Sequence, residues 1–260
     1  MLYSYEMNFQ ELKDFLDEKA DFYNNPSFIE NDPLQIPHRF SLKQDIEIAG
    51  FLTATISWGN RKSIINDAEK MMNFMGNSPY DFIQNVSEKD LKPLEKISIH
   101  RTFNGEDFRE FILNLKRIYS QNESLESQFL IQKNEENFYH SLHRFRQNFI
   151  GSTIHRSQKH VSSTYKNSSA KRLIMFLRWM VRSDKKGVDF GIWENINPKY
   201  LSIPLDVHTG NISRKLNLVQ RKQNDWKTVE EMDAALRKFN AEDPAKYDFA
   251  LFGLGVSKDF

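Results

Sequence analysis

The sequence predicts an all-α protein, and three observations carry that expectation. Apolar residues recur at three- and four-residue spacing through long runs, no convincing series of alternating segments appears, and the chain-breaking residues are few, with ten Gly and eight Pro in 260 residues. Hydrophobic residues at 39% and charged residues at 27% place the chain among globular proteins long enough to bury a substantial core. The 21 Phe are spread along the chain and are assigned mostly to that core.

Taken in order, Leu12, Phe15 and Leu16 share one face of a helix expected over 9–20. Residues 24–40 read as irregular, because Pro26, Pro33 and Pro37 interrupt them. Ile46, Ile48, Phe51, Leu52, Thr55 and Ile56 give a broad buried face to a helix over 42–58. Gly59-Asn60 ends that helix, and Arg61-Lys62 opens the next, to about residue 76. Pro79 starts a short helix, and 107–119 is a further amphipathic one. A polar acidic stretch leads to a helix over 138–150, then to a loop rich in Ser, His and Lys. Ser168-Ser169 are expected to cap a helix over 171–182, whose apolar face is Leu173, Ile174, Leu177, Met180 and Val181. Pro204 ends what precedes it, and Asp206 stands as N-cap of a helix carrying Ile212 and Leu216 four apart. Thr228-Val-Glu-Glu231 reads as a capping box for a helix to about 239. Asp243-Pro244 opens a last helix ending at Gly253. The expected organisation is one domain, 1–260, of two helical lobes: 40–130 in one, 1–39 plus 131–260 in the other.

Cysteine is absent, which removes disulfides, thiolate zinc sites, iron–sulfur clusters and a Cys nucleophile together. Met1-Leu-Tyr-Ser-Tyr-Glu-Met offers neither a basic region nor an apolar core for a secretory leader, and no window approaches 18 uninterrupted apolar residues. A cytoplasmic chain is expected. Net charge is only +1, but its distribution is uneven. Between His143 and Lys186 stand eleven Lys or Arg against one acid, Asp184. That segment reads either as a footprint for a polyanion or as a solvated face neutralised by acidic residues elsewhere, such as those of 123–136.

Asp206 has two possible jobs. As a cap its carboxylate accepts free N–H groups of the first helical turn; as a catalyst it is kept ionised by the same helix terminus and aimed beyond it. The segment Pro204-Leu-Asp206-Val-His208 with Ile212-Ser-Arg214-Lys-Leu216 resembles the catalytic-aspartate segment of the helix-hairpin-helix DNA glycosylases. Tyr247-Asp-Phe-Ala-Leu-Phe-Gly253-Leu-Gly255 is similar to a later helix of that superfamily, and Phe51 to Asn60 occupies the place of an early helix whose end inserts into DNA. The whole chain resembles an uncharacterised bacterial family, matched through Pro37-His38, Glu47-Ile-Ala-Gly-Phe, Trp58-Gly-Asn-Arg-Lys62, Lys171-Arg-Leu and Arg178-Trp-Met-Val-Arg182. That family is itself similar to the archaeal 8-oxoguanine DNA glycosylases.

The resemblance implies a two-lobed helical glycosylase-like fold with an atypical hairpin. The superfamily's usual lysine, 18 or 19 residues before the aspartate, would fall on Gly187 or Val188, and Gly187-Val-Asp-Phe-Gly191 only imitates the hairpin. Lys171, 35 residues before Asp206, fits the archaeal arrangement instead. The implied activity is base excision from double-stranded DNA carrying a damaged base, an oxidised purine such as 8-oxoguanine, with an associated strand-cleaving lyase step. Lys171 is the implied nucleophile and Asp206 its carboxylate partner. Trp58, Asn60, Met175, Asp248 and Phe252 are implied contacts to the extruded base or plugs for its vacated place. Arg61, Arg172, His208, Arg214 and Lys215 are implied contacts to the DNA backbone. No cofactor, no metal and no membrane enters this reading, and a monomer is expected. Two rivals stay open: a DNA-binding protein of the same fold without the chemistry, and a metal-dependent hydrolase built on Asp206, His208 and His160 or His155.

Overall fold

A computed structural model of the chain describes residues 7–152 and 154–257, so most of the stretch inspected for a leader lies outside the described residues. The protein is mostly helical. The central element is α2 (Lys43–Ile56), in which every residue from Ile46 to Ile56 is buried. A helix covered on all sides needs partners all round. They are α3 (Arg61–Phe74), α4 (Pro79–Asn85) and α8 (Lys171–Val181), which all pack on it. Phe51 gathers the rings of Phe111, Phe145, Phe149 and Phe176 within 5.7 Å between centroids, so the abundant Phe does form core. Glu47 is fully buried in the same helix and fully partnered. It accepts Tyr119 Oη at 2.7 Å, Trp193 Nε1 at 2.6 Å, the Leu125 N–H at 3.0 Å and the Ser124 hydroxyl.

The first and last helices described meet: α1 (Phe9–Tyr23) lies along α11 (Tyr247–Ser257), which also packs on α9 (Val207–Lys215). Gly253 does not end the last helix. It sits inside α11 where a Cβ would stand 2.3 Å from the Tyr23 ring, so glycine here permits close helix approach rather than a stop.

Further elements were not expected. α5 (Glu88–Leu91) and a two-stranded hairpin, β1 (Ser98–His100) with β2 (Phe103–Asn104), precede α6 (Gly105–Tyr119). After α7 (Tyr139–Ile150), α8 starts at Lys171 as expected but without the serine cap. Its N-cap is Ala170, with φ +49° and no side-chain bond, while Ser168 Oγ accepts only the Ala170 N–H at 3.2 Å. Thr228 likewise lies inside α10 (Trp226–Leu236): Asp225 is the cap, accepting the Thr228 N–H at 3.1 Å. Glu231 reaches instead to the N–H of Gln220 at 2.6 Å.

Past α8 the chain folds back on the helix end. The N–H groups of Phe190 and Trp193 bond the carbonyls of Trp179 at 2.8 Å and Met180 at 3.0 Å, satisfying groups a helix terminus leaves open. No α-helix lies between α8 and α9, and buried Leu201, Ile203 and Leu205 thread extended chain to Asp206.

The basic segment is not a surface stripe. Arg178 and Arg182 are 4% and 3% exposed and share Asp189 at 3.2 Å each. Arg178 also pairs with Asp248, and Arg182 with Asp184 at 2.6 Å and Asp243 at 2.9 Å. Arg144 is tied to Glu135, and Arg146 to backbone carbonyls including that of Gln158 at 2.6 Å. Much of the positive charge therefore holds the fold together.

Candidate active site

Five segments surround one cleft of about 560 Å³. Residues 28–33 supply Phe28, Asp32 and Pro33; the α2–α3 turn supplies Trp58 and Arg61. From α8 come Lys171, Arg172, Met175, Arg178 and Trp179, spaced so that successive turns of one helical face line the wall. Pro204, Asp206, Val207 and His208 close a third side, and Asp248, Phe249, Phe252 and Val256 of α11 a fourth.

Lys171 and Asp206 meet here, with Nζ 4.0 Å from Oδ2. The carboxylate divides its two oxygens: Oδ1 caps α9 by accepting the Thr209 N–H at 2.9 Å, and Oδ2 looks toward the amine. The capping job is thus met by one oxygen, and the other is left facing the Lys171 amine. Asn224 Nδ2 donates to the Asp206 carbonyl at 3.0 Å and pins the start of the helix from behind.

Trp58 forms one wall. The Arg172 guanidinium lies 4.8 Å from its centroid, His160 stacks behind at 5.9 Å, and His100 meets it edge-on at 5.0 Å. His100 is itself held between Asp67, at 2.8 Å, and the Trp58 carbonyl, at 2.9 Å. Gly59 must leave this wall with φ +101°, and a side chain there would overlap Arg101 on the hairpin turn. Arg172 donates to the carbonyls of Thr55 and, at 3.3 Å, His160, and among the described residues it has no carboxylate partner. Burial alone pulls its guanidinium down to about 10. A desolvated cation without a counter-charge attracts an anion.

Asp248 faces the cleft from α11. Burial pushes its carboxyl up to about 6, against the pull of the adjoining Arg178 and with a further push from Asp206. Phe252 lies one turn further along the same face of α11, with Arg61 5.7 Å from its ring centroid. His208 donates Nδ1–H to the Gly255 carbonyl at 3.1 Å, joining α9 to α11 at the rim.

The cleft thus gathers Lys171, Asp206, Trp58, Met175, Asp248, Phe252, Arg61, Arg172 and His208 of the residues singled out in the sequence. Three lie elsewhere. Asn60 caps α3, accepting the Ser63 N–H at 3.1 Å. Arg214 turns inward onto the 221–224 loop, donating to the carbonyl of Arg221 at 2.7 Å and to Asn224 Oδ1 at 2.6 Å, so it braces the partner of Asp206 rather than facing outward. Lys215 is exposed in the last turn of α9, roughly 13 Å along the axis from Asp206 at 1.5 Å per residue. His160 pairs with Asp107 at 3.2 Å and does not line the cleft. Among the described residues no three His, Asp or Glu side chains gather as ligands for a metal ion.

Asp32 was missed. Its sequence signal, an Asp before Pro33 in a stretch of breakers, is that of a plain turn cap. Arg178 entered as one charge in a run and as part of a matching segment, with no site role, although it lies seven residues after Lys171 on the same helical face.

The family described as Protein of unknown function (DUF2400) matches residues 32–257. The chain belongs to that family. No curated protein and no solved structure matches it. In this DUF2400 protein the matched span contains every side chain lining the cleft except Phe28.

Proposed function

We propose that this DUF2400 protein is a base-excision DNA glycosylase with an associated lyase step, acting on an oxidised purine such as 8-oxoguanine in double-stranded DNA. The fold assigned with this reading is the two-lobed glycosylase-like one with an atypical hairpin. One observation carries it: an amine and a carboxylate 35 residues apart stand 4.0 Å from each other inside a cleft walled by Trp58, Phe249 and Phe252. Breaking an N-glycosidic bond leaves positive charge on the sugar, which a fixed carboxylate stabilises. An amine that attacks the anomeric carbon forms a Schiff base and opens the way to strand cleavage by elimination. An extruded base needs a stacking wall and polar edge partners. Trp58, Met175 and Phe252 supply the first and Asp248 the second. The cleft volume of about 560 Å³ suits a small planar ligand, within the roughly 300–1,000 Å³ typical of such sites. Arg61 and Arg172 at the cleft suit phosphates.

Borohydride trapping tests this directly. Wild-type protein incubated with a duplex carrying 8-oxoguanine is expected to release the base and to cross-link to the strand, and Lys171→Ala to do neither. Binding of the same duplex without base release or cross-link, over a panel of oxidised bases, would leave only a DNA-binding protein.

A further inference from the structure

Three carboxyl groups face the cleft, each with one oxygen engaged, and they differ in their charge partners. Asp206 spends Oδ1 on the Thr209 N–H. Asp248 is locked to the Arg178 guanidinium. Asp32 lies on the 28–33 segment, where Oδ1 accepts the Leu34 N–H at 3.0 Å and the other oxygen meets no donor among the described residues. Asp32 is open to the cleft on one side and desolvated on the others. That desolvation holds its carboxyl above the usual range, against the charges of Arg61 on α3 and of Arg178 and Lys171 on α8. Asp206, His208 and Asp248 stand in the same cleft.

The proposed chemistry contains a proton that needs a carrier. Lys171 must shed one before its nitrogen can attack, and the departing base must gain one. Asp206 is poorly suited to carry it. Its value lies in remaining negative beside the developing positive sugar, and protonation would cancel that charge at the moment it is needed. Asp248 is held by an ion pair. This leaves Asp32, which lines the same cleft and forms no ion pair among the described residues.

On the reading of the site given above, we infer that Asp32 is a third catalytic group, the proton carrier between Lys171 and the leaving base. The Asp32 carboxylate takes a proton from the Lys171 ammonium, giving a neutral amine and a carboxylic acid. The amine nitrogen forms its bond to C1′ as the C1′–N bond to the base breaks, and the base leaves with that electron pair. The base then takes the proton from Asp32, which returns to carboxylate. The sugar remains attached to Lys171 as a cationic secondary amine, so protons and charge balance without a further reactant.

The test compares wild type with Asp32→Asn and Asp32→Glu. Asparagine is as good a turn cap as aspartate, so Asp32→Asn keeps the bond from Leu34 and removes only the proton-carrying group. Single-turnover base release is followed on an 8-oxoguanine duplex across pH, alongside borohydride trapping on a duplex with a preformed abasic site. Wild-type base release is expected to show an acid limb, falling as Asp32 is protonated. Asp32→Asn is expected to be slower by about 10²-fold, in the range for a lost general acid–base, and to lack that limb. Asp32→Glu is expected to retain the limb, a pattern a merely structural role would not produce. A wild-type rate and unchanged limb in Asp32→Asn would overturn the assignment while leaving the glycosylase reading intact. A wild type inert on both duplexes would remove that reading and the carrier role with it.

Discussion

On the proposed function, Asp206 separates a structural from a chemical role, because one of its oxygens caps α9 and the other faces Lys171. Asp206→Asn retains an acceptor for the Thr209 N–H and abolishes the charge facing Lys171; Asp206→Ala removes both. Losing an N-cap costs about 1 kcal/mol. With an unfolding entropy near 2.1 cal/mol/K per residue, a chain this long loses only about 2 °C of Tm for that. Asp206→Ala is therefore expected to melt about 2 °C below wild type and Asp206→Asn within a degree of it. Chemistry should respond very differently. A unit charge 4.0 Å from a carboxylate interacts by about 4 kcal/mol at an effective dielectric of about 20, which is some three powers of ten in rate. Both variants are expected to release base about 10³-fold more slowly, measured in single turnover beside thermal melts of the free proteins. An Asp206→Asn variant with wild-type base release would refute the reasoning, since the cap alone would then account for the residue.

Burial holds neutral His160, behind Trp58, down to about 4, opposed by its Asp107 partner. Because the unfolded chain takes up that proton first, His160 contributes stability above about pH 6.5 that is lost as pH falls toward 4. Denaturant titrations should show the stability of wild type relative to His160→Gln shrinking by at most roughly 3 kcal/mol over that window. Asp248 and Asp233, both pushed up to about 6 by burial, act in the opposite sense and cancel in the comparison because both proteins carry them. A difference that stays flat with pH would place the ring outside the desolvated wall. At the cleft, Arg61→Ala should lower the slope of log affinity against log salt by about 1 for duplex DNA, measured by fluorescence anisotropy. An unchanged slope would mean that Arg61 serves Phe252 alone.

The helices were legible because their information is local. In α2, α6 and α8 the apolar period and the residues ending each run lie within a few turns, and all three appear close to where the sequence puts them. The β1–β2 hairpin was not, because strands of three and two residues carry no period. Phe103 is buried there by Phe111, 5.2 Å away on α6, a tertiary contact with no local signal. The serine cap failed for a related reason. Ser168 is engaged in a bridge to Asp225, 57 residues on, and α8 begins from a left-handed Ala170 instead. The basic segment, left open in the sequence between a polyanion footprint and a neutralised face, is settled by tertiary partners. Charge is visible in a sequence but its partner is not, and the acids that absorb Arg178 stand 11 and 70 residues downstream.

The same distinction explains which site residues could be found. Asp206 was legible because its local task and its place in the cleft coincide: one oxygen caps the helix start and the other looks into the cleft. Lys171 became legible only through a resemblance, since nothing about a lysine in a first helical turn says what it faces. Asp32 lacked both aids. It is a cap for one short turn, and its second oxygen acquires meaning only when α3, α8 and α11 close around it. A cap engages only one carboxylate oxygen, and tertiary neighbours decide the fate of the second: at Asp225 it takes Arg221 and Asn167, and at Asp32 it is left to the cleft.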